Sequence, residues 1–335
     1  MHHSTSRNRD HVTRNSRLNL LLIGEESAGI QALRALAPRA DRIVAVMASQ
    51  SRRFATGASL WTVARCLGYQ TWPAELVKDP SFADRIAAEN IDVILNVHSL
   101  HLIDLKVLTA PRIGSFNMHP GPLPGYAGLN TVSWAIYRGE TSYGVTIHEM
   151  TGEIDGGRIA FQARFPLEDQ DTPMSLTTKC IRAGIPDLWR LLDTAATHRK
   201  AIPLVRQDLT KRRYFGRQVP HDGAIFWDRP AQEIANFVRA CDYHPFTSPW
   251  GHPRARAGGR EILVTKVSRT GEKCPAPPGS VVLRGNDVRV ACADEWIVIH
   301  RIRTGQRPID PTLLLRAGDR LEDGFPPGGF APIPA

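Results

Sequence analysis

Short apolar runs alternate with longer amphipathic stretches through the first half of the chain. Leu18-Asn-Leu-Leu-Leu-Ile-Gly24 reads as a buried strand, and Glu25 to Leu36 after it carries its apolar residues at helical spacing. Arg42 to Ala48 is a second strand, Ser59 to Leu67 and Pro80 to Glu89 are helices, and Asp92 to Val97 is a third strand. This alternation predicts an α/β fold with a Rossmann-like, doubly wound parallel sheet. A strand ending at His119 belongs among its later strands, followed by a helix over Thr131 to Arg138 and strands over Gly144 to Met150 and Arg158 to Leu167. Pro173 to Thr197 is helical in pattern, with Gly184 and Pro186 expected to kink or split it.

The texture changes after Ile202. Residues 204–217 are polar and basic and read as a linker, Ala231 to Cys241 as one helix, and four short β-like runs follow between Glu261 and Ile302, punctuated by Pro and Gly. Many short strands with turn signals predict a small OB-like β-barrel. The expected organisation is a disordered leader over 1–16, a catalytic domain over 17–203, the linker, a barrel domain over 218–324 and a loose Pro/Gly-rich tail over 325–335.

Candidate chemistry concentrates between Arg112 and Gly157. Asn117 and His119 lie two apart on a strand, so their side chains project to the same side. The Pro/Gly run after His119 stops that strand, which places both polar groups at its carboxyl end, where open α/β sheets bind ligands. Asp155 falls in a loop between two further strands. The first strand–helix turn holds Gly24 and Gly29 but no G-x-G-x-x-G, and Glu25 and Glu26 sit where a pyrophosphate would lie. A dinucleotide oxidoreductase is thereby disfavoured.

The ordered set Asn117, His119, Leu123, Pro124, Gly128, Gly144-Val145-Thr146, Asp155 and Gly157 resembles the motif of the folate-dependent formyltransferases. Those relatives include methionyl-tRNA formyltransferase and the enzymes that formylate amino acids or amino sugars. Gly121 and Pro122 depart from the family's Ser-Leu, which is expected to reshape the rim of the site without removing a catalytic group. The resemblance covers residues 18 to about 200 strongly and the second domain more weakly.

What the resemblance implies is formyl transfer from 10-formyltetrahydrofolate to an amine, with Asn117, His119 and Asp155 as the catalytic trio and no metal. Asn117 and His119 would offer N–H donors to a tetrahedral oxyanion, while Asp155 orients His119 or assists proton transfer. Taken singly, a strand histidine is usually structural and an Asp-Gly-Gly usually a turn; the order of the whole set carries the reading. Two segments are expected to hold the folate: Ser99, Leu100, His101, Leu102 and Ile103 by their backbone, and Thr151, Gly152, Glu153 and Ile154 as the opposite wall. Tyr126, Asn130 and His148 are candidates for the amine side, whereas Trp134 is expected to pack.

Charge bears on which amine is used. The net +9 divides as +3 over 1–17, +3 over 18–214 and +3 over 215–335, with Lys211-Arg212-Arg213 the local cluster. Such even spreading suits a solvated surface better than a nucleic-acid footprint. The loop after the second strand, Ala48 to Ser59, is shorter and less basic than in tRNA-modifying relatives, and the proline loop has Gly125 and Ala127 where theirs carries Arg. A small or carrier-bound amine, from an amino acid, siderophore precursor or amino sugar, is therefore preferred. Methionyl-tRNA is the alternative acceptor, and a formyltetrahydrofolate hydrolase or idle folate-binding protein a more distant one. Five scattered cysteines without a Cys-x-x-Cys pair, no export signal and no membrane-length apolar run point to a reduced cytoplasmic protein. Oligomeric state stays open, a homodimer among the options.

Overall fold

A computed structural model describes residues 17–50, 58–99, 101–197, 201–305 and 307–324. The leader, the tail, Leu100 and most of the loop after the second strand lie outside the described residues. In chain order the first part comprises β1 (Asn19–Gly24), α1 (Glu26–Leu36), β2 (Arg42–Ala48), α2 (Leu60–Cys66), β3 (Thr71–Pro73), α3 (Phe82–Ala88), β4 (Val93–Val97), α4 (Leu105–Thr109), β5 (Gly114–His119), β6 (Ala127–Gly128), α5 (Thr131–Tyr137), β7 (Ser142–Glu149), β8 (Ile159–Pro166) and α6 (Pro173–Thr197). After these come β9 (Tyr214–Phe215), α7 (Ala231–Ala240), β10 (Arg254–Ala257), β11 (Arg260–Lys273), β12 (Val281–Arg284), β13 (Asp287–Ala291), β14 (Glu295–Thr304), β15 (Arg307–Ile309), α8 (Pro311–Leu314) and β16 (Leu321–Glu322).

The main sheet has seven strands in the order β3-β2-β1-β4-β5-β7-β8. Leu20 and Leu22 of β1 pack into one helical layer, and Leu21 and Ile23 into the other, all with 0% exposure. Apolar runs without alternation are thus explained by burial on both faces, each such side chain contributing about 1.5–3 kcal/mol as an upper estimate. The sheet is not wholly parallel: β5 pairs with β7, and β7 with β8, antiparallel. Only residues 150–158 join β7 to β8, too few for the crossover of a dozen or more that a parallel pair requires.

Helix α6 is not split, running unbroken through Pro186. Buried Leu176, Cys180 and Ile181 lie before the proline and Leu188, Leu191 and Leu192 after it, so apolar burial on both sides outweighs the roughly 3 kcal/mol that an interior proline costs. Gly184 lets the helix approach the sheet closely. A β-carbon there would lie 2.6 Å from Met118 Sδ and 3.1 Å from Val145 Cγ2, next to the strand that carries Asn117.

The second domain is an antiparallel sheet in the order β12-β13-β14-β11-β10-β16, with β15 on β14. Its two ends meet: Val281 N donates to Asp319 O at 2.9 Å and Leu321 N to Gly279 O at 2.8 Å, which curls the sheet into a small barrel. Helix α7 packs between this barrel and α5 of the first domain. Hydrogen bonds from Tyr137 to Glu233 and between Ser133 and Tyr243 join the two domains. The segment between them does not run free. Strand β9 pairs with β6 beside the proline loop, and Val205 exchanges backbone bonds with Ile159 at 2.8 Å. Long-range backbone pairing therefore overrides its polar, linker-like composition.

Candidate active site

Register builds the site. Asn96 on β4 stands opposite Asn117 on β5, and Asn117 stands opposite His148 on β7, so three polar side chains lie abreast across adjacent strands. Asn96 Nδ2 donates to Asn117 Oδ1 at 3.1 Å, which turns the Asn117 amide nitrogen toward His148 Nε2, 3.2 Å away. His148 Nδ1 lies 2.8 Å from the Glu149 carbonyl, which accepts only from an N–H, and this fixes the proton on Nδ1. Asn117 then spends one of its two N–H groups on His148 and keeps the second for a ligand.

His119 ends β5, 4% exposed. Its Nε2 lies 2.6 Å from the Tyr126 carbonyl, so Nε2 bears the proton of the neutral ring and Nδ1 presents a lone pair. Nδ1 is 3.6 Å from Asp155 Oδ2. The N–H expected to serve an oxyanion is thus committed to Tyr126, and the nitrogen left for chemistry is basic until it gains a proton. Burial pushes the imidazole below its ordinary value, with the Asp155 charge acting against that shift. Gly121 makes the geometry accessible, since a β-carbon there would sit 2.6 Å from Tyr126 O and 2.8 Å from His119 Nε2.

Asp155 lies in the β7–β8 loop at φ +53°, the left-handed region. Its Oδ2 accepts from Gly128 N at 2.8 Å, and Oδ1 lies 3.4 Å from His148 Nε2. Burial alone would raise this carboxyl, but the nearby His119 and His148 rings and the Gly128 N–H outweigh it and hold the group well below the usual carboxylate range. His148 Nε2 thus lies between the Asn117 amide at 3.2 Å and the Asp155 carboxylate at 3.4 Å. Thr146 anchors the proline loop: its hydroxyl donates to Gly121 O at 2.7 Å and accepts from Leu123 N at 3.1 Å.

The other sequence candidates fall in distinct places. Tyr126 is 6% exposed with its hydroxyl donating to Glu140 Oε1 at 2.6 Å, so it reaches the site through its backbone carbonyl. His148 is 2% exposed within the polar cluster, and Asn130 sits at φ +52° at the start of α5. Trp134 stacks on Phe215, as its packing reading anticipates. Ser99, His101, Leu102 and Ile103 follow β4 without regular structure, and Leu102 is 70% exposed. Across from them, Thr151 to Ile154 form the exposed arm of the Asp155 loop, and a β-carbon at Gly152 would lie 4.0 Å from Leu105 Cδ1. Sequence reasoning did not single out Leu105; Leu102, Leu105 and Ile154 are all exposed apolar side chains.

The sequence places Asn96 where β4 runs into the segment expected to hold the folate, but nothing local couples its side chain to Asn117, 21 residues later. In the first turn, Glu25 Oε1 accepts from Ser49 N at 2.8 Å and Ser49 Oγ at 2.6 Å. A carboxylate thus occupies the place of a phosphate and ties the ends of β1 and β2 together. Among the described residues no group of His, Cys, Asp and Glu is arranged to hold a metal ion, and no helix is long and apolar enough to cross a membrane.

Amide, imidazole and carboxylate are thus gathered at the carboxyl edge of an open α/β sheet, the place where such sheets bind ligands. Residues 25–186 match the formyl transferase family and residues 218–317 its C-terminal domain; the chain belongs to that family. Solved structures share the fold. The N-formyltransferase from Helicobacter canadensis, in complex with folinic acid and dTDP-3-aminofucose, is 18% identical with TM-score 0.63, over 84% of this chain and 98% of that one. WlaRD, a sugar 3N-formyl transferase, is 18% identical with TM-score 0.64, over 87% and 98%. HypX from Aquifex aeolicus in complex with tetrahydrofolic acid is 18% identical with TM-score 0.60, over 90% of this chain and 49% of that one. The chain thus spans about half the length of HypX.

Proposed function

We propose that this chain transfers the formyl group of 10-formyltetrahydrofolate to a primary amine of a small or carrier-bound substrate, an amino acid, siderophore precursor or amino sugar. The observation that carries the reading is the convergence of Asn117, His119 and Asp155 at the end of β5, with His119 Nδ1 held 3.6 Å from Asp155 Oδ2. The exposed apolar trio Leu102, Leu105 and Ile154 supports folate as donor. Folinic acid and tetrahydrofolic acid in the complexes of the relatives add to this support. One relative of similar length is a sugar 3N-formyl transferase and another is an N-formyltransferase in complex with dTDP-3-aminofucose, which favours a small amine. Five free cysteines agree with a cytoplasmic location.

Bound folate supplies the formyl carbon. His119 Nδ1 takes the proton released as the amine nitrogen bonds to that carbon, and Asp155 balances the imidazolium so formed. The second Nδ2–H of Asn117 meets the oxygen on which negative charge develops, its direction set by Asn96 and His148. His119 then returns its proton to the departing nitrogen. Burial of the ring keeps it unprotonated, and so competent to accept the first proton, at neutral pH.

Incubation with 10-formyltetrahydrofolate and either an amine panel or methionyl-tRNA tests the reading. Formylation of panel amines is expected, with weak, salt-sensitive tRNA binding. Selective, efficient formylation of initiator methionyl-tRNA would overturn the acceptor assignment. Absence of any folate-dependent transfer would overturn the activity.

A further inference from the structure

We propose that Gln207 is a positioning residue, clamping the backbone of the Asp155 loop so that the carboxylate faces His119, with Arg212 as a second arm of the same clamp. Gln207 Nε2 lies 2.8 Å from Asp155 O and 2.6 Å from Gly157 O. Both partners are carbonyls, so both hydrogens of one amide nitrogen are used, straddling the residue between them. Arg212 Nη2 donates to Ile154 O at 2.7 Å, one residue before the carboxylate. Three carbonyls of this loop, those of Ile154, Asp155 and Gly157, are thus held from the segment that composition reads as a linker.

The loop needs such support. Thr151 to Ile154 are exposed, with the Thr151 hydroxyl bonding Glu153 N and O and Arg212 reaching the Ile154 carbonyl and, at 3.5 Å, the Glu153 carboxylate. Asp155 itself occupies the left-handed region, which aspartate enters more readily than most residues but holds best where its surroundings support it. On the side-chain end, Gly128 N holds Oδ2 at 2.8 Å. On the backbone end, Gln207 holds the carbonyl. The clamp is rigid because its own backbone is stitched to both flanks. Val205 pairs with Ile159 at the start of β8, while Arg213 N donates to Pro124 O at 3.1 Å and Arg213 O accepts from Ala127 N at 3.0 Å. One segment therefore fixes the proline loop and the Asp155 loop relative to each other, and these are the two loops between which His119 Nδ1 and Asp155 Oδ2 must meet.

The inference rests on the role given to Asp155 above, and its test separates the two. Gln207→Met keeps side-chain length and removes both donors; Gln207→Glu keeps shape and sets a carboxylate against two carbonyls. In the full-length protein, nitrogen NMR of the histidine rings reads the Asp155 position directly. Among the described residues the charges that act most on His119 are those of Asp155, His148 and His98, beside the Tyr126 carbonyl it bonds, and Asp155 is the carboxylate of that set. A displaced carboxylate leaves the His119 imidazolium without its counter-charge, so its titration moves to lower pH in Gln207→Met, which brings in no charge of its own.

Where an amine from the panel is formylated, kcat in Gln207→Met is expected to fall about 10-fold to 100-fold, the scale of an ångström misplacement, with the donor KM little changed. On an Asp155→Asn background the same substitution should cost almost nothing further, which a merely structural defect would not reproduce. If Gln207→Met does not fold, Arg212→Met, which removes one arm only, carries the same measurements. An unmoved His119 titration, or losses that add in full on the Asp155→Asn background, overturns the clamp. A titration that moves in a protein showing no folate-dependent transfer leaves the clamp standing and removes the formyltransferase reading instead.

Discussion

Replacing Asp155 with Asn changes charge with almost no change in shape. The Asn oxygen can still accept from Gly128 N, which now lies 2.8 Å from Oδ2, so the loop should keep its place and thermal stability should change little. The loss falls on the imidazolium. A carboxylate 3.6 Å from the protonated ring is worth about 4–5 kcal/mol at an effective dielectric of about 20. A proton only partly transferred realises part of that, about 3 kcal/mol, or roughly a hundredfold in turnover. The direction of the pH effect follows from the same charge. Asp155 opposes the burial that lowers the His119 pKa, so removing it lowers that pKa further. The rising limb of kcat/KM, which reports deprotonation of His119, should therefore shift to lower pH while the plateau falls. Steady-state rates against the best panel amine across the acid range measure both. A variant that keeps wild-type turnover, or whose acid limb moves upward, would refute the pairing of His119 with Asp155.

Gly121→Ala should cut turnover by about tenfold or more, because its β-carbon meets the Tyr126 carbonyl and His119 Nε2 and must push the ring aside; a rate within twofold of wild type would show that the proline loop gives way freely. Calorimetry should show binding of 5-formyltetrahydrofolate and none of NADH, since Glu25, bonded to Ser49, fills the place of a phosphate; tight NADH binding without a folate response would contradict this. Leu105→Asp should weaken that folate binding by about tenfold or more through lost apolar contact while leaving the fold intact, as 57% exposure allows; unchanged affinity would place the donor elsewhere.

Much of this architecture is legible in local pattern. Apolar runs buried on both faces mark β1, β2 and β4, and period two puts Asn117 and His119 on one side of β5 whatever surrounds them. The Pro/Gly run fixes where that strand stops. Even the antiparallel pairing of β7 and β8 was implicit in a connection too short for a crossover, although the alternation of strands and helices suggested otherwise. Tertiary structure decided what depends on partners far along the chain. Register, set by burial across the whole sheet, brings Asn96 and His148 beside Asn117. Packing on both sides of Pro186 keeps α6 whole, against a propensity that would end it. Backbone pairing with Ile159 and the proline loop turns a polar stretch into a brace that delivers Gln207 to Asp155. Side-chain period and turn chemistry are properties of a few adjacent residues, whereas the direction of an amide, the tautomer of a histidine and the charge of a carboxylate are set by groups that only the folded chain brings within hydrogen-bonding distance.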